Sequence, residues 1–185
     1  MEYEVRTADM WPEADYELRS ASDGLTLDGY AAVFGKPSLD LYGPRGKFVE
    51  KIDERAFDRT LKENPDVLLL YNHEPGQLLA RRTSKTLRLE RDARGLRFEA
   101  DLPDTTLGRD VRALFERGDL DGQMSFGFNV RKDEWNGNTR TLLDVDLVEV
   151  SVVIQAAYPQ TEAAIRSSQT PRLLRARELQ IRSLL

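Results

Sequence analysis

The sequence predicts an α+β fold built mainly from antiparallel strands, with a few packed helices. Short segments rich in β-branched and aromatic residues recur along the chain. Two intervals between such segments, 92–95 and 136–137, carry the Asp, Asn and Gly residues that favour hairpin turns. Two other segments place apolar residues at helical spacing after an aspartate suited to cap a helix. Because a hairpin joins its strands in antiparallel pairs, we expect an antiparallel sheet as the scaffold.

The segments expected to form strands are bounded by glycine, proline or other turn residues. The segment at 66–71 is apolar at both odd and even positions, which is typical of a buried central strand. In chain order the predicted strands are 25–34, 47–52, 66–71, 86–90, 96–101, 123–130 and 139–154.

Two helices are predicted from capping residues and apolar periodicity. The first begins at Asp53 and ends before Pro65. The second begins at Asp104 and ends at Gly118, a residue type that commonly stops a helix. Its apolar side chains recur on one face at Leu107, Val111, Leu114 and Phe115.

With 185 residues, the chain is long enough for one well-filled domain and too short for two ordinary ones. We expect an N-terminal lead-in over 1–22, the domain over 23–166, and an appended tail over 167–185. The tail is basic with leucines at helical spacing. It could be a docking helix, a propeptide-like end removed by self-processing, or a frayed terminus.

Composition excludes several kinds of chemistry. The chain has no cysteine, so disulfides, thiolate catalysis and cysteine-based zinc sites cannot form. The net charge of −5 comes from scattered acidic residues, and we therefore expect no nucleic-acid partner. No apolar stretch approaches 18 residues and the start lacks the pattern of a signal peptide, so a cytosolic protein without membrane insertion is expected.

His73 is the only histidine, so any histidine-dependent chemistry must use this side chain. It directly follows the predicted buried strand at 66–71, and strand ends are positions where scaffolds present functional residues. Histidine is the side chain most often used as a general base in enzymes. The alternative is an ordinary surface histidine on a loop.

Ser125 lies on the small, polar face of its predicted strand, because alternation directs Met124, Phe126 and Phe128 to the opposite face. This arrangement anchors the strand through its aromatic residues and leaves space above the hydroxyl. An ordinary strand with a solvent-facing serine would show the same pattern.

Glu149 interrupts the segment 147–154, which is mainly apolar at both odd and even positions. A carboxylate buried in such a strand needs a partner, and a histidine ring is a suitable one. A solvated edge-strand glutamate or a structural pair with an arginine would also fit.

Five segments together resemble the HK97-type prohead protease family of tailed phages. They are GYAAVFG (29–35), EKIDERAFDRTL (50–61), LLLYNHE (68–74), QMSFGF (123–128) and LVEVSVV (147–153), in the order and approximate spacing of the family. The resemblance spans about residues 25–165. It implies a fold like that of the herpesvirus assembly proteases, which is a mainly antiparallel β-barrel with a few packed helices.

The resemblance also implies a function. Members of the family are serine endopeptidases that cleave scaffold, or the scaffold-like N-terminal region of the major capsid protein, and commonly themselves during prohead maturation. The expected partners are therefore capsid and scaffold proteins and other copies of the chain, inside the assembling procapsid in the host cytoplasm. No cofactor or metal is expected.

By position, the family histidine falls on His73 and the family serine on Ser125. The third catalytic residue falls on Glu149, with Asp144 and Asp146 as alternatives. Herpesvirus relatives use a second histidine there, which this chain lacks.

Two other functions fit parts of the sequence. A capsid-assembly or scaffold-binding module could keep the fold and lack catalysis. A carboxylate-metal hydrolase could use acidic side chains of two Asp-x-Asp patterns, although such patterns recur by chance and usually form solvated faces. Those residues are Asp119, Asp121, Asp144 and Asp146.

Overall fold

The computed structural model describes residues 3–7, 25–38, 40–44, 46–63, 65–120, 122–154 and 163–166. Within these ranges lie eleven strands and two helices. The strands are β1 (Glu4–Thr7), β2 (Leu25–Val33), β3 (Leu41–Gly43), β4 (Gly46–Ile52), β5 (Leu68–Tyr71), β6 (Leu78–Arg81), β7 (Leu87–Arg91), β8 (Gly95–Leu102), β9 (Met124–Asn136), β10 (Thr139–Val152) and β11 (Ala163–Arg166). The helices are α1 (Asp58–Glu63) and α2 (Thr106–Arg117).

Strand β10 organises the larger sheet, which has seven strands. It forms a long hairpin with β9, and the predicted turn residue Gly137 adopts a left-handed φ of 60° there. On its other edge, β10 pairs in parallel first with β4, over Thr139–Leu142, and then with β5, over Glu149–Val152. Strand β1 extends the sheet beyond β9. The carboxyl end of β5 therefore lies beside the end of β10, with β9 on the opposite side.

The second sheet has four antiparallel strands in the order β11-β2-β8-β7. Both sheets contribute side chains to one hydrophobic core. Phe98 enters it from the second sheet, and Phe126 and Phe128 enter it from β9. The Phe126 and Phe128 rings stack at 5.1 Å between centroids, and Phe57 meets Phe126 edge-on at 5.8 Å. The aromatic face of β9 predicted from its alternation is thus the face that anchors the strand.

The predicted fold is partly confirmed. Strands dominate and helices are few, but the strands of the described ranges form two sheets that do not close into a barrel. One sheet keeps edges at β1, β3 and β6, and the other at β7 and β11. The larger sheet is also mixed rather than antiparallel, because β10 uses one edge for two successive parallel partners.

The two predicted helices exist, with corrected starts. Helix α1 begins at Asp58, because Asp53 instead accepts a hydrogen bond from the Arg55 amide at 2.9 Å and residues 54–57 form turns. Helix α2 is capped by Thr105, whose hydroxyl accepts from the Gly108 amide at 3.2 Å.

At its other end, α2 stops at Gly118, as predicted. Gly118 has a φ of 77° and its amide donates to the last turn of the helix. Asp104 lies outside the helix and pairs with Arg109 at 2.7 Å.

Four strands are not predicted by local pattern: β1, β3, β6 and β11. Each has only three or four residues, which is too short for an alternating pattern of polar and apolar residues to be recognised. Of the predicted lead-in over 1–22, the structure describes residues 3–7, and the predicted tail over 167–185 lies outside the described residues. No helix in the described part of the chain is long and apolar enough to cross a membrane.

Candidate active site

A break in the register between β10 and β9 places Glu149 on the side of the sheet away from the core. Leu147 pairs with Phe128, and the next registered pair is Glu149 with Gly127, so one extra residue is accommodated at Val148. Such a bulge reverses which face successive side chains occupy. Leu147 stays on the core side while Glu149 moves to the opposite side, where Gly127 leaves space. A regular strand would direct both to one face.

Glu149 is buried, with 1% of its side chain exposed, and both of its carboxylate oxygens accept hydrogen bonds. His73 Nδ1 lies 2.7 Å from Oε1. The Ser151 hydroxyl donates to Oε2. An ionised carboxylate only accepts hydrogen bonds, so its contact with Nδ1 requires a proton on that nitrogen, and in the neutral ring of that tautomer Nε2 is the acceptor.

His73 reaches Glu149 through a tight turn at the end of β5. Asn72 and His73 both adopt left-handed backbone conformations, with φ of 51° and 60°. Such conformations are uncommon for residues other than glycine and persist where surrounding contacts hold them. Here the Asn72 amide donates to the Val152 carbonyl at 2.8 Å, and the Asn72 side chain accepts from the Ile154 amide at 2.9 Å. The turn is therefore fastened to β10, the strand that carries Glu149.

Ser125 lies on β9, directly across the ladder from Ser151. Its side chain is fully buried, and its hydroxyl is one of two buried side-chain polar atoms of the described residues without a hydrogen-bond partner. Buried hydroxyls are nearly always paired, so this arrangement carries a free-energy cost that packing alone does not explain. The fold thus places Ser125 on β9, on one side of the Glu149 strand, and His73 on the turn that follows β5, on the other side.

The N-terminal strand covers this region. Strand β1 pairs antiparallel with β9, with Thr7 opposite Ser125 and Val5 opposite Gly127. Tyr3 lies against Gly127: a Cβ added there would come within 2.3 Å of its ring. Burial raises the pKa of the Tyr3 phenol, and the negative charge of Glu149 raises it further.

An ion pair holds β1 in place besides the strand pairing. Arg140 Nη1 lies 2.9 Å from a Glu4 oxygen, and the guanidinium, 11% exposed, also contacts Glu50 and Asp133. Burial acts to lower the pKa of Arg140, but the combined effect of pairing with several carboxylates is larger and raises it. The contact fixes the N-terminal segment to the base of β10.

The two alternative acidic residues are bound elsewhere. Arg59 contacts Asp144 at 3.0 Å and Asp146 at 2.5 Å, and Arg131 also pairs with Asp146. These ion pairs lower the pKa of Asp146 against the opposing effect of burial. The structure therefore brings Glu149, and neither aspartate, to His73.

The described acidic residues of the metal-hydrolase alternative do not form a cluster. Asp119 pairs with Arg117 at 3.0 Å, and Asp121 lies outside the described residues. Among residues that the structure describes, no group of three or more acidic or histidine side chains is arranged to hold a metal ion.

Comparison with known proteins identifies the class. A family model described as caudovirus prohead serine protease matches residues 14–175. The chain belongs to this family, and it is therefore a peptidase of the phage prohead. The resemblance drawn from its motifs is confirmed.

A solved structure shares the fold. The bacteriophage T4 capsid assembly protease, gp21, is 13% identical, with a TM-score of 0.55, and the match covers 84% of this chain and 98% of that one. No curated protein sequence matches the chain.

Sequence reasoning missed two residues of the site, Ser151 and Tyr3. Ser151 belongs to the quoted LVEVSVV segment, and its spacing of two from Glu149 could have placed it on the same strand face. No sequence signal places Tyr3, because its position depends on the pairing of β1 with β9.

Proposed function

We propose that the chain is a serine endopeptidase in which Ser125 is the nucleophile, His73 the general base and Glu149 the acid that orients His73. The observation that carries the proposal is the 2.7 Å contact between His73 Nδ1 and the buried Glu149. With its proton on Nδ1, a neutral imidazole has Nε2 as its acceptor. His73 follows β5, which pairs with one edge of β10, and Ser125 lies on β9, which pairs with the other edge.

The geometry supports an acyl-transfer mechanism. His73 Nε2 takes the proton of Ser125 as its Oγ forms a bond to the substrate carbonyl carbon. The tetrahedral intermediate collapses, the peptide C–N bond breaks, and the imidazolium returns the proton to the leaving amine. Water, activated by the same nitrogen, then hydrolyses the acyl-enzyme. Backbone amides are the expected donors to the oxyanion.

Two serines face each other across the β9–β10 ladder, and their bonding distinguishes them. The Ser151 proton is committed to Glu149, whereas the Ser125 hydroxyl has no partner. A nucleophile must pass its proton to the base during attack, so the uncommitted hydroxyl is the better candidate. This supports Ser125.

The position of β1 supports self-processing. An extended peptide that adds a strand to a sheet edge is a common mode of peptide recognition. Strand β1 occupies the β9 edge in this way, with Thr7 opposite Ser125, and Ser125 is buried. The uncut chain is thus a blocked form in which its own N-terminal segment lies where a substrate strand would bind, and cleavage near this segment would release the site.

Removing residues 1–7 is expected to speed labelling of Ser125 by a fluorophosphonate by at least about 10-fold, because reactivity scales with the fraction of open molecules. Labelling rates of the deletion and of full-length protein, shown intact by mass spectrometry, provide the measurement. A chain shortened by seven residues at its C-terminal end is the control. Equal labelling rates for all three proteins would rule out the proposal that residues 1–7 block access to Ser125.

Gly127→Ala tests whether the site requires the space that Gly127 leaves beside Glu149. Its Cβ would lie 2.5 Å from Glu149 Oε1, so the carboxylate must move from His73. We expect cleavage to fall about 10- to 100-fold, as for loss of a hydrogen bond to a charged group. Tyr3 would also be displaced, and the double variant Tyr3→Ala/Gly127→Ala should therefore remain slow.

Gly76→Ala is the matched control for Gly127→Ala. A Cβ at Gly76 meets no atom within 4 Å, so this variant should cleave normally. Full activity of Gly127→Ala would mean that Glu149 is free to shift without consequence, against its assigned role.

The proposed substrates are scaffold protein or the scaffold-like N-terminal region of the major capsid protein, cut inside the assembling procapsid in the host cytoplasm. Co-expression of the chain with the capsid and scaffold proteins of its phage should yield shortened products that Ser125→Ala does not produce. Ser38→Ala, which changes another buried serine, should still produce them. A chain that neither cuts nor reacts with a fluorophosphonate after loss of residues 1–7 would instead be a binding module of the same fold.

A further inference from the structure

Ser151 is a buried side chain that the mechanism above does not use. It lies on β10 two residues after Glu149, opposite Ser125 on β9 and Leu70 on β5. It is fully buried, and its hydroxyl donates to Glu149 Oε2. Its neighbours thus include both strands from which the proposed catalytic residues come.

The hydrogen bonds that the Glu149 carboxylate accepts indicate a specific role for Ser151. A buried carboxylate is stable only when its oxygens accept hydrogen bonds. His73 satisfies Oε1, and Ser151 satisfies Oε2. One donor lies on the turn after β5 and the other on β10, and because they bind different oxygens, together they fix the rotation of the carboxylate plane. Without Ser151, the hydrogen bond to His73 would have to hold the carboxylate together with its packing, and His73 lies on a turn with 28% of its side chain exposed.

We infer that Ser151 is a positioning residue: its hydroxyl locks Glu149 with Oε1 toward His73, and so keeps the imidazole oriented for Ser125. The inference rests on the proposed function for its kinetic consequence. Its structural consequence, the strength of the His73–Glu149 bond, can be measured without catalysis.

The first test is spectroscopic. His73 is the sole histidine, so nitrogen and proton NMR signals of its ring need no assignment. In Ser125→Ala, which cannot process itself under the proposed mechanism, the proton on Nδ1 should give a low-field resonance. Adding Ser151→Ala should shift this resonance upfield or broaden it by exchange with water. Adding Glu149→Gln to Ser125→Ala gives the reference for complete loss of the hydrogen bond between His73 and a carboxylate.

The second test is kinetic. Ser151→Ala should lower kcat about 10- to 100-fold with KM nearly unchanged, the range for a hydrogen bond to a charged group. Ser38→Ala is the matched control, since its buried hydroxyl accepts from the Glu50 amide at 2.7 Å, away from the site. It should lower thermal stability and change neither kcat nor the His73 resonance.

The outcomes separate this inference from the proposed function. An unchanged resonance in Ser151→Ala overturns the positioning role, whether or not activity falls, and so does an unchanged kcat in an active enzyme. A shifted resonance in a chain that never cleaves or labels supports the positioning of His73 and refutes the peptidase mechanism instead.

Discussion

Alanine at Ser125 or at His73 is expected to lower the cleavage rate by roughly 10⁴- to 10⁶-fold, and the double variant is expected to be no slower than the slower single variant. A nucleophile and its base act as one unit, because the hydroxyl attacks only while its proton is being removed. Removing either member therefore removes the same step. If the two side chains instead contributed separately to folding, the free-energy effects of the two single variants would add in the double variant. A double variant no slower than the slower single variant would therefore indicate a shared catalytic step.

The rates should be measured on a chain lacking residues 1–7, so that opening of the site does not limit them. Ser38→Ala and Glu74→Ala are the controls: the first is another buried serine, and the second is an exposed neighbour of His73. Both should retain activity. Substantial cleavage by Ser125→Ala, with normal cleavage by the controls, would contradict the assignment of the nucleophile.

Glu149→Gln is expected to lower the rate by roughly 10² to 10⁴, less than the loss of Ser125 or His73. The amide has nearly the same shape but no charge to stabilise the imidazolium that forms during attack. Its nitrogen also has to face either His73 or Ser151, where an acceptor stood before. Cleavage kinetics and thermal unfolding of the variant give the two readouts.

Asp144→Asn is the matched control, because this carboxylate is paired with Arg59 and lies outside the site. It should affect stability and leave cleavage near normal. If Glu149→Gln cleaved normally while a variant at Asp144 or Asp146 was inactive, the acid of the site would have to be reassigned.

Much of the fold could be predicted from local patterns. The hairpin turn at Gly137 and the C-terminal stop of α2 at Gly118 lie where predicted, because backbone sterics at glycine are set by a few neighbouring residues. The cap of α2 was misplaced by one residue, from Asp104 to Thr105, since both residue types cap helices. The barrel expected from the resemblance was not confirmed in the described residues, and local patterns could not have decided it, because closure depends on which distant strands pair.

Three residues of the candidate site, Ser125, His73 and Glu149, could be proposed from the sequence, but their contacts could not. His73 and Glu149 are 76 positions apart, and only the parallel pairing of β5 with β10 brings them within 2.7 Å. The bulge at Val148 decides that Glu149 faces away from the core. Nothing in the mainly apolar sequence of residues 147–152 reveals that break.

The sequence by itself determined that histidine chemistry must pass through one residue, that no thiol takes part, and which segments favour strands or helices. These properties follow from composition and from short-range sterics. Only the tertiary structure decided the partners of each group: Arg59 for Asp144, His73 and Ser151 for Glu149, and the β1 strand for the edge beside Ser125. Those pairings depend on long-range register, which is set by the joint burial of apolar side chains from many strands.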